Sequence, residues 1–364
     1  MPTETRMPVY DATLDLAAAA ALIADCDGPI LVVTHAKPDG DAFGSVIALT
    51  AALRTLGRDV TACFAPPVPA SLLDLAGSDL ARIYEPAIDL GEPVLRIVLD
   101  TGAYAQLGPL RDAIEPHVDR TLILDHHLSG DIPARHRYID GGAAATCEIV
   151  ADLLELLLDD RTPGHLTRVI REALFVGIAS DTGWFRFSNT SPRTHTLAAR
   201  LLREGVDQAA LYEVLEQTER PQKLALLTRA LDSLKLVADG RAAIMTLRAD
   251  DFTETGALME ETERLIDVPQ QVGTIRVIAL LSEHRQPDGK VVTRMSFRSK
   301  PGAATAAAGG VGPVNVAELA GRFGGGGHAR AAGARVTGPP DAIVPRLEQA
   351  LADALTHASR RGDA

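Results

Sequence analysis

In the first half of the chain apolar residues fall into short continuous runs. Between the runs stand stretches in which apolar residues recur every three or four positions. Residues 29–34 (PILVVT), 59–64, 94–99 (VLRIVL) and 121–124 (TLIL) read as strands, and 42–56 reads as a helix closed by Gly57. Continuous apolar strands separated by helices predict an α/β domain built on a parallel sheet with helices on both faces. In such sheets ligands bind beyond the carboxyl ends of the strands. Three of the four runs lead into His35, Asp100 and Asp125.

A helical stretch follows, at 144–158, 166–179, 193–204, 207–217 and 221–234. Its second helix leads into Ser180-Asp181-Thr182-Gly183. The last third changes character. Strands are expected at 241–247, 275–281 and 291–297, with a hairpin around Gln286-Pro287-Asp288-Gly289. A Gly/Ala-rich stretch at 302–313, a short helix near 314–323, a strand at 331–336 and a closing helix at 341–355 complete a smaller α+β domain. The expected division is a catalytic domain over 1–210, a helical linker over 211–230 and a second domain over 231–364.

Length agrees with two domains, because 364 residues exceed one ordinary core. No apolar run reaches the ~20 residues of a membrane span. The apolar segment 16–24 follows Asp11 and Asp15, where a secretory signal would carry positive charge. It reads as an amphipathic first helix, and a cytoplasmic location is expected. The three cysteines, Cys26, Cys63 and Cys147, are far apart, which argues for buried thiols rather than structural zinc or a disulfide framework. A net charge of −12 argues against a surface that tracks long duplex nucleic acid, while leaving room for a local basic pocket.

The candidate chemistry gathers at the strand ends. His35-x-x-x-Asp39-x-Asp41 lies on a glycine-containing turn, Asp100 follows a second strand and Asp125-His126-His127 a third, while Asp181 ends a helix that must fold back to join them. Two carboxylates ~4 Å apart repel by roughly 4 kcal/mol at an effective dielectric of 20. Several such pairs would approach the ~5–15 kcal/mol stability of a typical domain. Either some aspartates stay protonated or cations occupy the site, and mixed carboxylate and imidazole donors favour cations. Singly, each piece has an ordinary explanation as a surface turn or a helix cap. Their joint placement at strand ends is where α/β enzymes build sites.

These residues carry a resemblance. His35-Ala-Lys-Pro-Asp-Gly-Asp-Ala-Phe-Gly-Ser45, Val98-Leu-Asp-Thr-Gly102, Asp125-His126-His127, Gly177-Ile-Ala-Ser-Asp-Thr-Gly183 and Gly324-Gly-Gly-Gly-His-Ala-Arg-Ala-Ala-Gly333 resemble the motifs of the DHH phosphoesterases that carry a DHH-associated C-terminal domain. The likeness is to the small oligoribonuclease (nanoRNase) and pAp phosphatase group, and it runs over nearly the whole chain. It implies two divalent metal ions, typically manganese, with magnesium or others as alternatives. One ion would be held by His35, Asp39 and Asp100. The other would be held by Asp41, Asp100, His126 and Asp181, with Asp100 bridging. His127 would face the phosphate, and Asp125 would support the site from behind. A homodimer is expected.

The C-terminal motif adds a separate clue. Between Arg298 and Arg335 stand five basic residues, Arg298, Lys300, Arg322, Arg330 and Arg335, and one acid, Glu318. Backbone N–H groups of a glycine run can approach phosphate oxygens closely. With His328 and Arg330 matching the family motif, Arg298, Gly326, Gly327, His328 and Arg330 are expected to bind substrate. Arg186 could reach a phosphate, as the likeness suggests. Alternation in Trp184-Phe185-Arg186-Phe187 predicts two inward aromatics. The family usually joins its Arg-Ser-Lys segment to the glycine motif by a shorter loop, so 302–313 looks like an insertion that bears on how a cleft closes.

The resulting expectation is two-metal hydrolysis of short nucleotide phosphoesters: oligoribonucleotides of a few residues, linear dinucleotides such as pApA, or pAp. The two domains are expected to form a cleft that limits substrate length, with no membrane partner. The alternatives are a cytosolic cyclic di-AMP phosphodiesterase and a non-catalytic nucleotide sensor on the same scaffold. The intact set of ligand types argues against the sensor.

Overall fold

The four apolar runs of the first half form parallel strands, joined by two less buried strands at the sheet edges. In the computed structural model, which describes residues 10–158, 166–300 and 312–362, these are β1 (Ile30–Val33), β2 (Val60–Phe64), β3 (Ala81–Ile83), β4 (Leu95–Leu99), β5 (Thr121–Asp125) and β6 (His136–Ile139). Their order is β3-β2-β1-β4-β5-β6, parallel throughout. The chain builds outward from β1 on one side, then crosses back to start again at β4. The carboxyl ends of β1 and β4 therefore flank a topological switch point, where open α/β sheets place their ligands.

Both faces of this sheet are buried, which explains why its strands are continuously apolar rather than alternating. Ile30, Val32, Ile97, Leu99, Leu122 and Leu124 face one core, and Leu31, Val33, Val98 and Ile123 face the other. The long helices α1 (Leu16–Ala24) and α2 (Gly40–Thr55) pack on the first face. After the short α3 (Ala70–Leu73) and α4 (Arg111–Ile114), helices α5 (Thr146–Leu157) and α6 (Arg168–Asp181) join them there. The second face is covered by Tyr10 and by short helical turns carrying Leu107, Leu110 and Ile114. Helices thus cover both faces, but the long ones lie on one.

Two glycines let α2 and α6 approach. A Cβ on Gly44 would lie 2.3 Å from the Ala173 carbonyl oxygen. A Cβ on Gly177 would lie 2.1 Å from Cys147 Sγ and 2.8 Å from Asp41 Oδ1. Close backbone approach at these positions brings the end of α6, with Asp181, beside the start of α2, with Asp41. Helices α7 (Pro192–Arg203) and α8 (Gln208–Glu216) close this half.

The chain divides into two units, Met1–Thr218 and Glu219–Ala364. The helix read as part of a linker is α9 (Pro221–Asp232), whose Leu226 and Ala230 are buried against the second unit's sheet. That sheet comprises β7 (Lys235–Val237), β8 (Ala242–Leu247), β9 (Val277–Arg285), β10 (Val291–Ser299), β11 (Gly326–His328) and β12 (Ala331–Thr337), in the order β11-β12-β10-β9-β8-β7. Only β8 and β9 pair in parallel. Helix α10 (Ala249–Thr255) follows β8; α11 (Val316–Gly321) and α12 (Pro340–Gly362) cover one face through Leu319, Leu347, Leu351 and Leu355. The other face is covered over β8 and β9 by α9 and by Leu265 and Ile266. Most of the Gly/Ala-rich stretch at 302–313, namely 302–311, lies outside the described residues. No helix among the described residues is long and apolar enough to cross a membrane.

Candidate metal centre

Each acidic motif sits where a strand or helix ends, so local structure fixes where its side chains start. Asp39 caps α2, its Oδ1 accepting from the amides of Asp41 and Ala42 at 3.0 Å each. Asp100 follows β4 in the left-handed region, with φ +62°. His126 and His127 follow β5, and Asp181 is the last residue of α6.

These elements converge. His35 Nε2 lies 3.6 Å from Asp100 Oδ2, and His126 Nε2 lies 3.5 Å from both Asp100 Oδ1 and Asp181 Oδ2. Among the described residues three donor sets have ligand atoms within 4.8 Å of one another: His35, Asp39 and Asp100; Asp41, His126 and Asp181; Asp100, His126 and His127. The histidines are oriented from behind. Nδ1 of His35 faces the Ala36 carbonyl at 3.1 Å, and Nδ1 of His126 faces the Ala143 carbonyl at 3.3 Å. In the neutral ring an Nδ1–H donated to each carbonyl leaves the Nε2 lone pair toward the carboxylates, as ligand histidines require.

Burial and charge set the protonation of the cluster. Burial disfavours the imidazolium of His126, yet Asp100, Asp41 and Asp181 outweigh it and raise the pKa to about 10. His35 is likewise opposed by burial but raised to about 9, chiefly by Asp100. Burial also works against the Asp100 carboxylate, but His126 and His35 hold it below the ordinary carboxylate range. Asp41 pays no such dividend: it is fully buried and near Asp100 and Asp181, and its pKa is pushed well up. Burial raises Asp181 to about 6, with His126 opposing and Asp100 and Asp39 adding to the rise. Without metal, protons on His35 and His126 serve as the counter-cations of the cluster.

The donor set fits divalent ions on an independent ground. His126 Nε2 is buried and makes no hydrogen bond, although carboxylate oxygens lie 3.5 Å away. A buried polar atom without a partner is costly unless something binds it. Metal binding needs neutral imidazoles, so uptake must expel the protons these residues hold. Loading at pH 7 with Mn²⁺ is expected to release at least about two protons per chain, from His35 and His126, with a further contribution from Asp41, whose pKa is also raised. Apparent affinity should rise with pH until the two histidines are deprotonated, near pH 9 to 10. Titration calorimetry in buffers of different ionisation enthalpy measures the release; a heat independent of buffer would contradict it.

His127 is arranged differently. Its ring is 54% exposed, and its Nδ1 lies 2.8 Å from Oδ1 of the fully buried Asp125. The hydrogen bond to Asp125, resisted by burial, raises the His127 pKa.

Two contributors carry no motif. Asp41 Oδ2 accepts from the amide of Thr146 at 2.6 Å and Oδ1 from the amide of Cys147 at 2.9 Å. These are the first amides of α5, whose own N-cap position, Ala145, offers no side-chain bond. The Thr146 hydroxyl donates to Asp100 Oδ1 at 3.0 Å. Thr146 thus ties Asp41 to Asp100. The signal available in sequence was a helix starting at Ala-Ala-Thr without a capping side chain of its own. Asn189 adds a further tie, donating through Nδ2 to the Ala144 and Asp181 carbonyls.

The remaining expected site residues fall in both units. Arg186 is exposed just past α6, its Nε donating to the Gly183 carbonyl at 2.6 Å. The neighbouring aromatics do not alternate as a strand. Gly183, Trp184 and Phe185 all have positive φ and form a turn. Trp184 packs edge-on against Tyr212 and bonds Glu216, while Phe187 is 56% exposed. In the second unit Arg298 stands on β10, and Gly326, Gly327 and His328 form β11. Arg330 lies in the two-residue turn to β12, exposed like His328.

Comparison with known proteins gives a family match, to the N-terminal domain of the DHH family, over residues 29–178. A bifunctional oligoribonuclease and PAP phosphatase NrnA of Thermus thermophilus is 30% identical over 345 residues, covering 93% of this chain and 94% of that protein. The Bacillus subtilis protein of the same description is 27% identical, over 84% and 89% of the two chains. The crystal structure of an exopolyphosphatase-related protein from Bacteroides fragilis superposes with a TM-score of 0.80 at 20% identity, covering 96% of this chain and 97% of that one, and so shares the fold.

Proposed function

The chain belongs to the DHH family, and from that premise we propose that it is a metal-dependent hydrolase of short nucleotide phosphoesters: oligoribonucleotides of a few residues, linear dinucleotides and pAp. The observation that carries the chemistry is the convergence of His35, Asp39, Asp41, Asp100, His126 and Asp181 at the switch point of the parallel sheet. The substrate class rests on the likeness to the two oligoribonuclease and PAP phosphatase proteins.

In this reading His35, Asp39 and Asp100 hold one divalent ion, and Asp41, Asp100, His126 and Asp181 hold the second, with Mn²⁺ as the expected metal. Two such ions, when bound, polarise the phosphoryl group and lower the pKa of a water. Asp100 would serve both positions. Thr146 occupies one lone pair of Asp100 and thereby orients the carboxylate. His127, held by Asp125, faces the phosphate with a proton on Nε2 and stabilises charge that grows on a non-bridging oxygen. Water adds to phosphorus and gives up a proton, the ester P–O bond breaks, and the departing alkoxide takes up a proton in exchange. No protein nucleophile is required.

Turnover of pAp, pApA, a 5′-phosphorylated triadenylate and cyclic di-AMP, with Mn²⁺ and with chelator, tests the proposal. Metal-dependent cleavage of the linear substrates is expected. Cleavage of the cyclic dinucleotide alone would move the function to a cyclic phosphodiesterase. Binding without turnover would leave a sensor.

Arg186, Arg298, Gly326, Gly327, His328 and Arg330 would bind substrate rather than metal. A charge-assisted bond contributes roughly 1.5–3 kcal/mol. Arg330→Ala is therefore expected to lower kcat/KM by about one to two orders of magnitude, with metal content unchanged. The loss should be larger on nucleotides than on bis-p-nitrophenyl phosphate. Loss of bound metal, measured by elemental analysis, would assign Arg330 to the wrong shell.

A further inference from the structure

The outer face of β10 and β12 carries two arginines in direct register. Arg294 on β10 is paired with Arg335 on β12, and both are exposed. The alternate positions Thr293, Met295, Phe297, Ala332 and Ala334 are buried, so Arg294, Ser296, Arg298, Gly333 and Arg335 line the opposite face. That face is covered over β8 and β9 by α9, Leu265 and Ile266, and no β10 residue belongs to that core.

Like charges directly opposite on antiparallel strands destabilise the ladder. Among the described residues neither Arg294 nor Arg335 forms an ion pair or a side-chain hydrogen bond, whereas the nearby Arg285 and Arg322 pair with Asp250 and Asp353. Between them lies a groove of about 590 Å³, lined by Arg294, Ser296, Arg298 and Arg335 and floored by glycines, with no acid in its wall. The floor must be bare: a Cβ on Gly325 would lie 2.1 Å from the Gly333 carbonyl oxygen, and one on Gly327 would lie 2.7 Å from that of Ala331. Guanidinium groups placed together over exposed backbone, in a chain of net charge −12, form an anion site.

We propose that the Arg294–Arg335 pair binds a second phosphate of a linear oligonucleotide, distinct from the phosphate taken by Arg298 and Arg330. Arg294 and Arg298 start about 13 Å apart along one strand, so the Arg294–Arg335 pair offers a contact point displaced along the groove from that of Arg298. The pair therefore favours substrates longer than a dinucleotide over pAp. This rests on the short-nucleotide reading above.

The test is an Arg294→Gln, Arg335→Gln double variant of the full chain, compared with the unaltered protein in two arms. With metal chelated, binding of 5′-phosphorylated triadenylate is measured across salt concentrations. The slope of log affinity against log salt should fall by about 0.7, the value for one single-strand phosphate contact, and affinity should drop at least tenfold. With Mn²⁺, the loss of kcat/KM should be at least ten times greater on the triadenylate than on pAp. An unchanged slope, or equal losses on the two substrates with an unaltered melting temperature, would overturn the proposal. Failure of the unaltered protein to cleave either substrate would instead remove the function reading, while the binding arm still decides whether the pair takes a phosphate.

Discussion

An Asp100→Asn variant is expected to fold, to lose bound metal and to turn over every substrate roughly a thousandfold or more slowly. Asp100 is 3% exposed and faces His35, His126, His127 and Thr146. Loss of one preorganised electrostatic partner typically costs about 10²–10³ in rate, and this carboxylate would serve two ions. Asparagine is the appropriate replacement because φ is +62°, a region that asparagine tolerates and alanine resists by about 1–2 kcal/mol. The metal-free fold should survive. His35 would lose the partner that chiefly holds its proton, while Asp41 and Asp181 still face His126, so a proton left there stays compensated. Circular dichroism, metal content and turnover of pAp check this together. A folded variant with near-normal turnover would refute the bridging role.

Gly177→Ala should be the most damaging single methyl in the first unit. Its Cβ would lie 2.1 Å from Cys147 Sγ and 2.8 Å from Asp41 Oδ1, and both neighbours are fully buried. Overpacking of this kind typically costs about 1–3 kcal/mol, occasionally more. For a unit of this size each kcal/mol lowers the melting temperature by about 2–4 °C. Asp41 must also shift from the amides that hold it, so metal affinity should fall as well. Adding Cys147→Ala removes the sulfur and should restore part of both losses. A Gly177→Ala protein with unaltered melting and metal affinity would show that α2 and α6 are not locked at this point.

The elements that were legible in sequence are those whose physics is local. Long apolar strands such as β4 and β5, buried on both faces, announce themselves, and so do the polar residues at their ends. The edge strands β3 and β6 were missed because they are three and four residues long and only partly buried. Sequence reasoning also weighed the aspartates as a repelling set. It did not foresee that histidines would hold Asp100 ionised while burial and repulsion fall on Asp41 and Asp181, because which carboxylate faces which imidazole depends on tertiary contact. Thr146 was invisible for the same reason: its role lies in an amide and a hydroxyl aimed at residues 105 and 46 positions away.

Because Asp41 on α2 takes the first two amides of α5, and the helix itself supplies only Glu148 to the Ala144 amide, its first turn depends on a distant residue. The order of assembly follows. A segment covering 140–158 alone should be a poor helix, since short isolated helices are marginal in water, and α5 can become firm only after α2 has docked. The catalytic cluster and this helix are then one cooperative folding unit, and native-state openings that release Asp41 must unwind the start of α5. The amides of Thr146 and Cys147 should accordingly exchange hydrogen only through the large opening that separates α2 from its neighbours, never through fraying. Their exchange rates report the integrity of the centre directly, in a protein that has bound nothing.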